Sequence, residues 1–286
     1  MLRKIRQCRK SFPAVFFIGI YASGLLSFAQ PLIPCGATSL SLGRVLSPEI
    51  PKVINLVNPA SLADITEYHF FIGHAQPFLI KEIGVSSLHA VSPLGGGGLA
   101  VGLSEYGIKG FQHFNSKVGY GMKLGKDLSA GIEFQYSTVY ARNEFNFMWS
   151  LSPGIGLSYR LGENSILTSI ISSPVSAGNM KKYSPGYTYH TAVGFSTSLY
   201  EDLYLIIEIS GNRETSTRLK TGINYNLGNR TFIRAGYHTN PATYSAGMGC
   251  RLNIFFADIA MAWSPGIGIT PALQLSRPIK QSPGSR

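Results

Sequence analysis

Acidic side chains are scarce in this chain: 14 Asp and Glu stand against 25 Lys and Arg, and charged residues of both signs make up only 14% of its 286 residues. Cysteine is nearly absent, with Cys8, Cys35 and Cys250 the only three. The two that lie beyond residue 29 cannot build a framework of bridges, so packing and backbone hydrogen bonds must hold the fold. Past residue 29 no run of 18 apolar residues occurs, which excludes a bundle of membrane-spanning helices. Metal-ligand spacing is missing, and so is any paired nucleophile and base. "GGGG" at 95–98 leads into an alternating strand and not a helix, so it is no phosphate cradle. These gaps point away from an enzyme, from a metal or other cofactor, and from nucleic acid.

The basic excess is concentrated at the start. "MLRKIRQCRK" carries five basic residues and no acid, the apolar run Phe12–Phe28 follows, and the small residues Ser27 and Ala29 flank Phe28. Basic head, short apolar core and small-x-small exit read as a cleaved signal peptide over 1–29, with an uncleaved anchor as the alternative. Without that stretch 20 basic residues face 14 acids, a balance of +6, so much of the basicity is targeting. "LIPC" at 32–35 has the outline of a lipidation box, but Pro34 stands where a small residue is wanted, leaving modification of Cys35 the lesser reading.

What the remainder does have is rhythm. Tight turn signals recur at "GKD" 125–127, "GEN" 162–164, "YED" 200–202, "GNR" 228–230 and "LN" 252–253, with "SPLGGGG" ahead of them. Longer connections, 141–146, 174–186, 212–216 and 240–243, fall between them. Inside the strands the alternation is clean. In "LSAGIEFQYSTVY" Leu128, Ala130, Ile132, Phe134 and Tyr136 share one face, and Ser129, Gly131, Glu133, Gln135 and Ser137 the other. "RLKTGINYNL" (218–227) and "FFADIAMAW" (255–263) repeat the pattern. Strands of about ten residues suit a tilted membrane crossing, and Tyr140, Trp149, Tyr159, Tyr237, Tyr244 and Trp263 sit near strand ends as interfacial aromatics do. The expectation is an all-β, antiparallel up-and-down transmembrane barrel over 67–279, of about 14 strands, or about 12 if the first pair lies outside the wall. A basic tail, 280–286, follows.

Period two assigns the lumen. Gly119, Gly121, Gly131, Gly154, Gly156, Gly194, Gly222, Gly236, Gly247 and Gly249 fall on it, for wall curvature first and close approach by another segment second. Lys117, Lys123, Glu133, Arg160, His190, Glu208, Lys220, Arg234, Arg251 and Asp258 share that face. Lipid would penalise them, so they should pair, with Lys123–Glu133 and Arg251–Asp258 as the candidates. A lone lumen His190 reads as a polar wall residue before it reads as a lipid-modifying enzyme's base.

Residues 30–66 carry Pro31, Pro34, Pro48, Pro51 and Pro59 among apolar patches, too much Pro for a long helix and too apolar for plain disorder. An ordered segment with no wall to join can sit inside the barrel as a plug. A signal peptide, then "NPASLADI", then about 14 strands of the "GYGMKLGKDLSAGIEFQY" kind resembles the FadL-type fatty-acid transporters and the PorV/PorQ-like barrels of the type IX secretion system. The resemblance implies that Asn58, Pro59 and Ala60 belong to a segment folded into the barrel, with Ser61 standing where Gly often follows. It also implies an outer-membrane location, with membrane lipid and a hydrophobic small molecule as partners in the transport reading. In the alternative reading the partner is a secretion-system protein. By the residues alone, Asn58 and Pro59 should brace the turn between inner segment and first strand.

Overall fold

Strands expected to cross hydrocarbon need a hydrogen-bonded neighbour on both edges, and here the chain provides it by closing on itself. A computed structural model describes residues 36–46, 57–108, 110–141, 145–172, 177–179, 190–212, 216–228 and 230–279. The expected signal peptide, Cys35, Pro48, Pro51 and the basic tail lie outside the described residues.

The wall runs β1 (Tyr68–Ala75), β2 (Val85–Leu94), β3 (Gly97–Ile108), β4 (Phe111–Lys123), β5 (Leu128–Ala141), β6 (Phe145–Leu161), β7 (Ser165–Ser172), β9 (His190–Tyr200), β10 (Leu203–Asn212), β11 (Arg218–Leu227), β12 (Thr231–His238), β13 (Thr243–Leu252), β14 (Phe255–Ser264) and β15 (Gly268–Ile279). A two-residue strand, β8 (Ala177–Gly178), adds to the edge of β6. All pairings between wall neighbours are antiparallel, and β1 joins β15 with Tyr68 opposite Ile279 and Ala75 opposite Ala272, which closes a 14-strand barrel. Each wall strand is thus hydrogen-bonded to a wall neighbour on either side.

The face that would be a core in a soluble sheet is turned outward. Ile132, Phe134, Ile223, Tyr225, Ile259 and Trp263 are exposed, whereas Glu133, Asn224 and Asp258 are buried. Along β10 the contrast falls on adjacent positions: Ile207 is 38% exposed and Glu208 0%. Water gives no reason for that inversion; a hydrocarbon surround does. Tyr237, Tyr244 and Trp263 stack across three strands near one rim, with centroids 5.1 and 5.8 Å apart, in keeping with an interfacial aromatic belt.

One end of the barrel holds the tight turns, among them Gly95–Gly96, whose positive φ of 55° and 81° suits a two-residue hairpin. The other end holds the longer loops, but three of its connections are short, and the one expected at 141–146 spans only 142–144. The connection between β3 and β4 is only 109–110, made tight by Gly107 and Gly110 at φ 138° and 109°, and that between β14 and β15 is 265–267.

Two short 3-10 turns, Pro77–Leu79 and Lys81–Ile83, lie between β1 and β2, and two pieces precede the wall: α1 (Ala37–Ser41) and a 3-10 turn, Pro59–Asp64. Both lie against the inner face, α1 on β12–β15 and β1, the turn on β3–β6. Leu40 and Ala37 settle on a patch of Ala75, Ala260, Ala262 and Ala272, where small wall residues leave room for a helix.

Candidate lumen site

Asn58 is held in an extended conformation ahead of Pro59 (φ −92°, ψ 110°), as a residue before proline must be, and its side chain accepts from Ala60 N at 3.1 Å. Ser61 donates from its backbone and from its hydroxyl to Asn58 O, at 3.1 and 2.7 Å. The turn is pressed onto three wall glycines. A Cβ at Gly131 would fall 2.7 Å from Ala60 N and one at Gly156 2.9 Å from Pro59 Cδ, while Gly121 lies beneath Pro59 O and Leu62. Asn58 is wholly buried there. One turn on, Leu62 packs with Phe71 and Val91.

The second seat repeats the device. Gly43 ends α1 with φ 72°, and Gly222, Gly236 and Gly247 leave the wall bare beneath Leu42, Gly43 and Ser41. Gly43 N donates to Ser245 Oγ at 3.1 Å, and Ser245 Oγ to Ser41 O at 3.3 Å. Thus six of the glycines expected for curvature lie under the inner segment. Gly154 and Gly249 instead lie under charged side chains, those of Glu133 and Asp258.

The charged residues on the inner face do pair, but not as the sequence suggested. Glu133 takes Lys117 at 2.5 Å, not Lys123. The register sets Glu133 opposite Gly119, four residues from Lys123 and roughly 13 Å away along the strand. Lys123 reaches Asp64 of the inner segment at 2.5 Å, where Arg160 also arrives at 3.2 Å. Asp258 takes Arg234 at 2.5 Å, not Arg251, and the pair spans β13 over Gly249, whose missing side chain opens the way. Arg251 sits at the rim, bonds Asn253 O at 3.3 Å and lies over Phe256. Glu208 and Lys220 pair at 2.7 Å, both buried. They also hold the inner segment, Leu46 N donating to Glu208 Oε2 at 2.7 Å and Lys220 Nζ to Arg44 O at 2.8 Å. His190 lies on the same face with Nε2 buried and unpartnered among the described residues.

Sequence reasoning passed over Asp64, Arg44, Arg218 and His238. Parity alone would have found two of them, since Arg218 is one inward position from Lys220 and His238 is Lys220's cross-strand partner. Asp64 and Arg44 lie in the inner segment, where no period points to a wall residue.

Among the described residues, space is left between the inner segment and the wall at two places. One, of only about 10 Å³, lies between Pro59 and Leu62 and the wall at His89, Gly102, Lys117 and Glu133. The other, of about 80 Å³, opens towards the tight-turn end between Phe71, Phe232, Phe256, Gln274 and the Arg234–Asp258 pair.

No protein-family model and no curated protein matches the chain. Solved structures do share its shape. It superposes on the CymD monoaromatic hydrocarbon channel with a TM-score of 0.65 at 12% identity, over 88% of this chain and 100% of that one. For the Ralstonia pickettii toluene transporter TbuX the values are 0.62 and 9%, over 85% and 98%. For a Pseudomonas aeruginosa FadL homologue they are 0.57 and 10%, over 85% and 97%. The fold is therefore that of the FadL-type barrels; the secretion-system side of the resemblance has no counterpart among these three.

Proposed function

We propose that this chain is an outer-membrane channel for small hydrophobic molecules, exported by a cleaved signal peptide, with its tight turns in the periplasm and its longer loops outside. It does no chemistry on what passes. The observation that carries the reading is a lipid-facing barrel whose lumen is occupied by its own N-terminal segment, seated on glycines and tied by Glu208, Lys220, Lys123 and Arg160, with a cavity beside each inner piece. The fold it shares with hydrocarbon and toluene transporters supports the same reading. In this account Asn58, Pro59 and Ala60 brace the plug and the lumen ion pairs hold it closed.

Proteoliposomes containing the full chain should take up toluene faster than empty vesicles while excluding sugars of similar size. Deleting residues 36–64 should admit the sugars as well. Toluene uptake no faster than in empty vesicles would rule the channel out.

A further inference from the structure

The tight-turn rim of β12–β15 carries guanidinium groups on an apolar ground. Arg230 leads into β12, Arg251 lies near the end of β13 and Arg277 near the end of β15. The three therefore span four adjacent strands, about 14 Å of wall. Arg251 N donates to Arg230 O at 2.7 Å, which sets those two residues side by side. From Arg230 to Arg286 the sequence holds a single acid, Asp258, so residues 280–286 and 30–35, which hold none, add no carboxylate side chain. Arg234 takes Asp258. Glu67, ahead of β1, and Asp202, ahead of β10, flank the four strands, and neither pairs with any of the three arginines.

Aromatic rings place two of the guanidiniums: Arg251 Cζ is 5.5 Å from the centre of the Phe256 ring, and Arg277 Cζ 5.6 Å from that of Phe255. Arg277 has the parity of the lipid-facing side. Leu275 and Ile279, its neighbours on that face, are exposed, and Phe70 stands opposite it on β1. The turn from β13 to β14 exposes Leu252 and Ile254, where the turns at 125–127 and 162–164 carry Lys126, Asp127 and Glu163. A long basic side chain at such a boundary lays its stem on apolar surface and sets its charge among lipid head groups. A divalent cation would be repelled there. A soluble acidic protein would match the charge and leave the apolar turn uncovered. An amphipathic anion matches both, and guanidinium groups take phosphate oxygens through parallel hydrogen bonds.

We propose that this sector of the rim binds the head group of one anionic membrane phospholipid. Arg251 and Arg277 close on its phosphate from either side of β14, Arg230 adds charge, and the acyl chains run along the wall beside Phe70, Phe255 and Leu275. The site lies outside the lumen, goes beyond the channel reading and stands whether or not the barrel conducts.

Native mass spectrometry of the full-length barrel in uncharged detergent tests it, with phosphatidylglycerol and phosphatidylcholine of the same acyl chains as probes. Phosphatidylglycerol should fill one tight site, at least fivefold tighter than phosphatidylcholine. Its binding should weaken threefold or more in Arg251→Gln and in Arg277→Gln, and tenfold or more when both are changed. Lys126→Gln, in the turn between β4 and β5, should stay within twofold. Gel mobility without heating reports folding, and Arg251, near the end of its strand, gives a second variant should Arg277→Gln not fold. Equal binding of the two lipids, or phosphatidylglycerol binding unchanged in the folded arginine variants, overturns the proposal. Displacement of the lipid by an equal concentration of glycerol 3-phosphate also overturns it, because the site would then take free phosphate. Toluene uptake by the same preparations separates these outcomes from failure of the channel reading.

Discussion

A glycine that meets nothing and a glycine that meets a backbone look alike in a sequence, and the difference decides what alanine does at each. Gly125 lies in a turn with open space around it; Gly131 lies under Pro59 and Ala60. Gly131→Ala should therefore push the Asn58–Pro59–Ala60 turn off the wall, lowering the temperature at which the folded band is lost on gels and raising leakage of small solutes. Gly125→Ala should change neither. Asn58→Ala removes the acceptor for Ala60 N and should cost about 1 kcal/mol of local stability, read as increased proteolysis of the inner segment, with Asn58→Ser recovering part of it. Protection equal to wild type in the alanine variant would sink the bracing role of Asn58.

At the scale of elements, ion pairs fasten the inner segment to particular strands, and their burial ranks them. Glu208 and Lys220 are almost inaccessible, so removing one partner leaves the other charge without its match. Glu208→Gln or Lys220→Met alone should destabilise the barrel by about 3 kcal/mol or more, and the double variant by less than either single change. Denaturant unfolding in lipid vesicles measures the cycle, and additive losses would contradict a coupled pair. The strands themselves were legible because period two and turn chemistry are local: "LSAGIEFQYSTVY" forms β5 and "RLKTGINYNL" forms β11 within a residue or two of expectation. The ion-pair partners were not legible, because they depend on stagger between strands and on bridges that cross a glycine. Lys123–Glu133 fails on stagger alone, and Arg234–Asp258 skips a strand. The inner segment's seat was still further from view, since Leu42 and Gly222 share no local pattern.

For the molecule as a whole, what matters is that its apolar surface faces out. That predicts an asymmetry between the two faces of one strand: Ile132→Arg places a charge on the lipid face and should cost about 2–4 kcal/mol near mid-membrane, whereas Ser129→Arg, on the inner face near a rim, should cost little. Vesicle refolding yields compare them directly, and equal losses would refute the assigned faces. The count of strands and the direction of the faces followed from sequence; the shortness of the connections at 109–110 and 265–267 did not, because it depends on the positive φ of Gly107, Gly110, Gly266 and Gly268.

The placement of α1 also orders events in time. Its seat is built from β12–β15 and β1, and Thr38 meets Gln274 across 236 positions of chain. The earliest described residues therefore find their place only when the final strands exist. Such distant contacts carry a large loop-closure cost and form late. A nascent barrel still missing its last hairpins would carry a helix with nowhere to rest, so completion of the wall and occupation of the lumen become a single step.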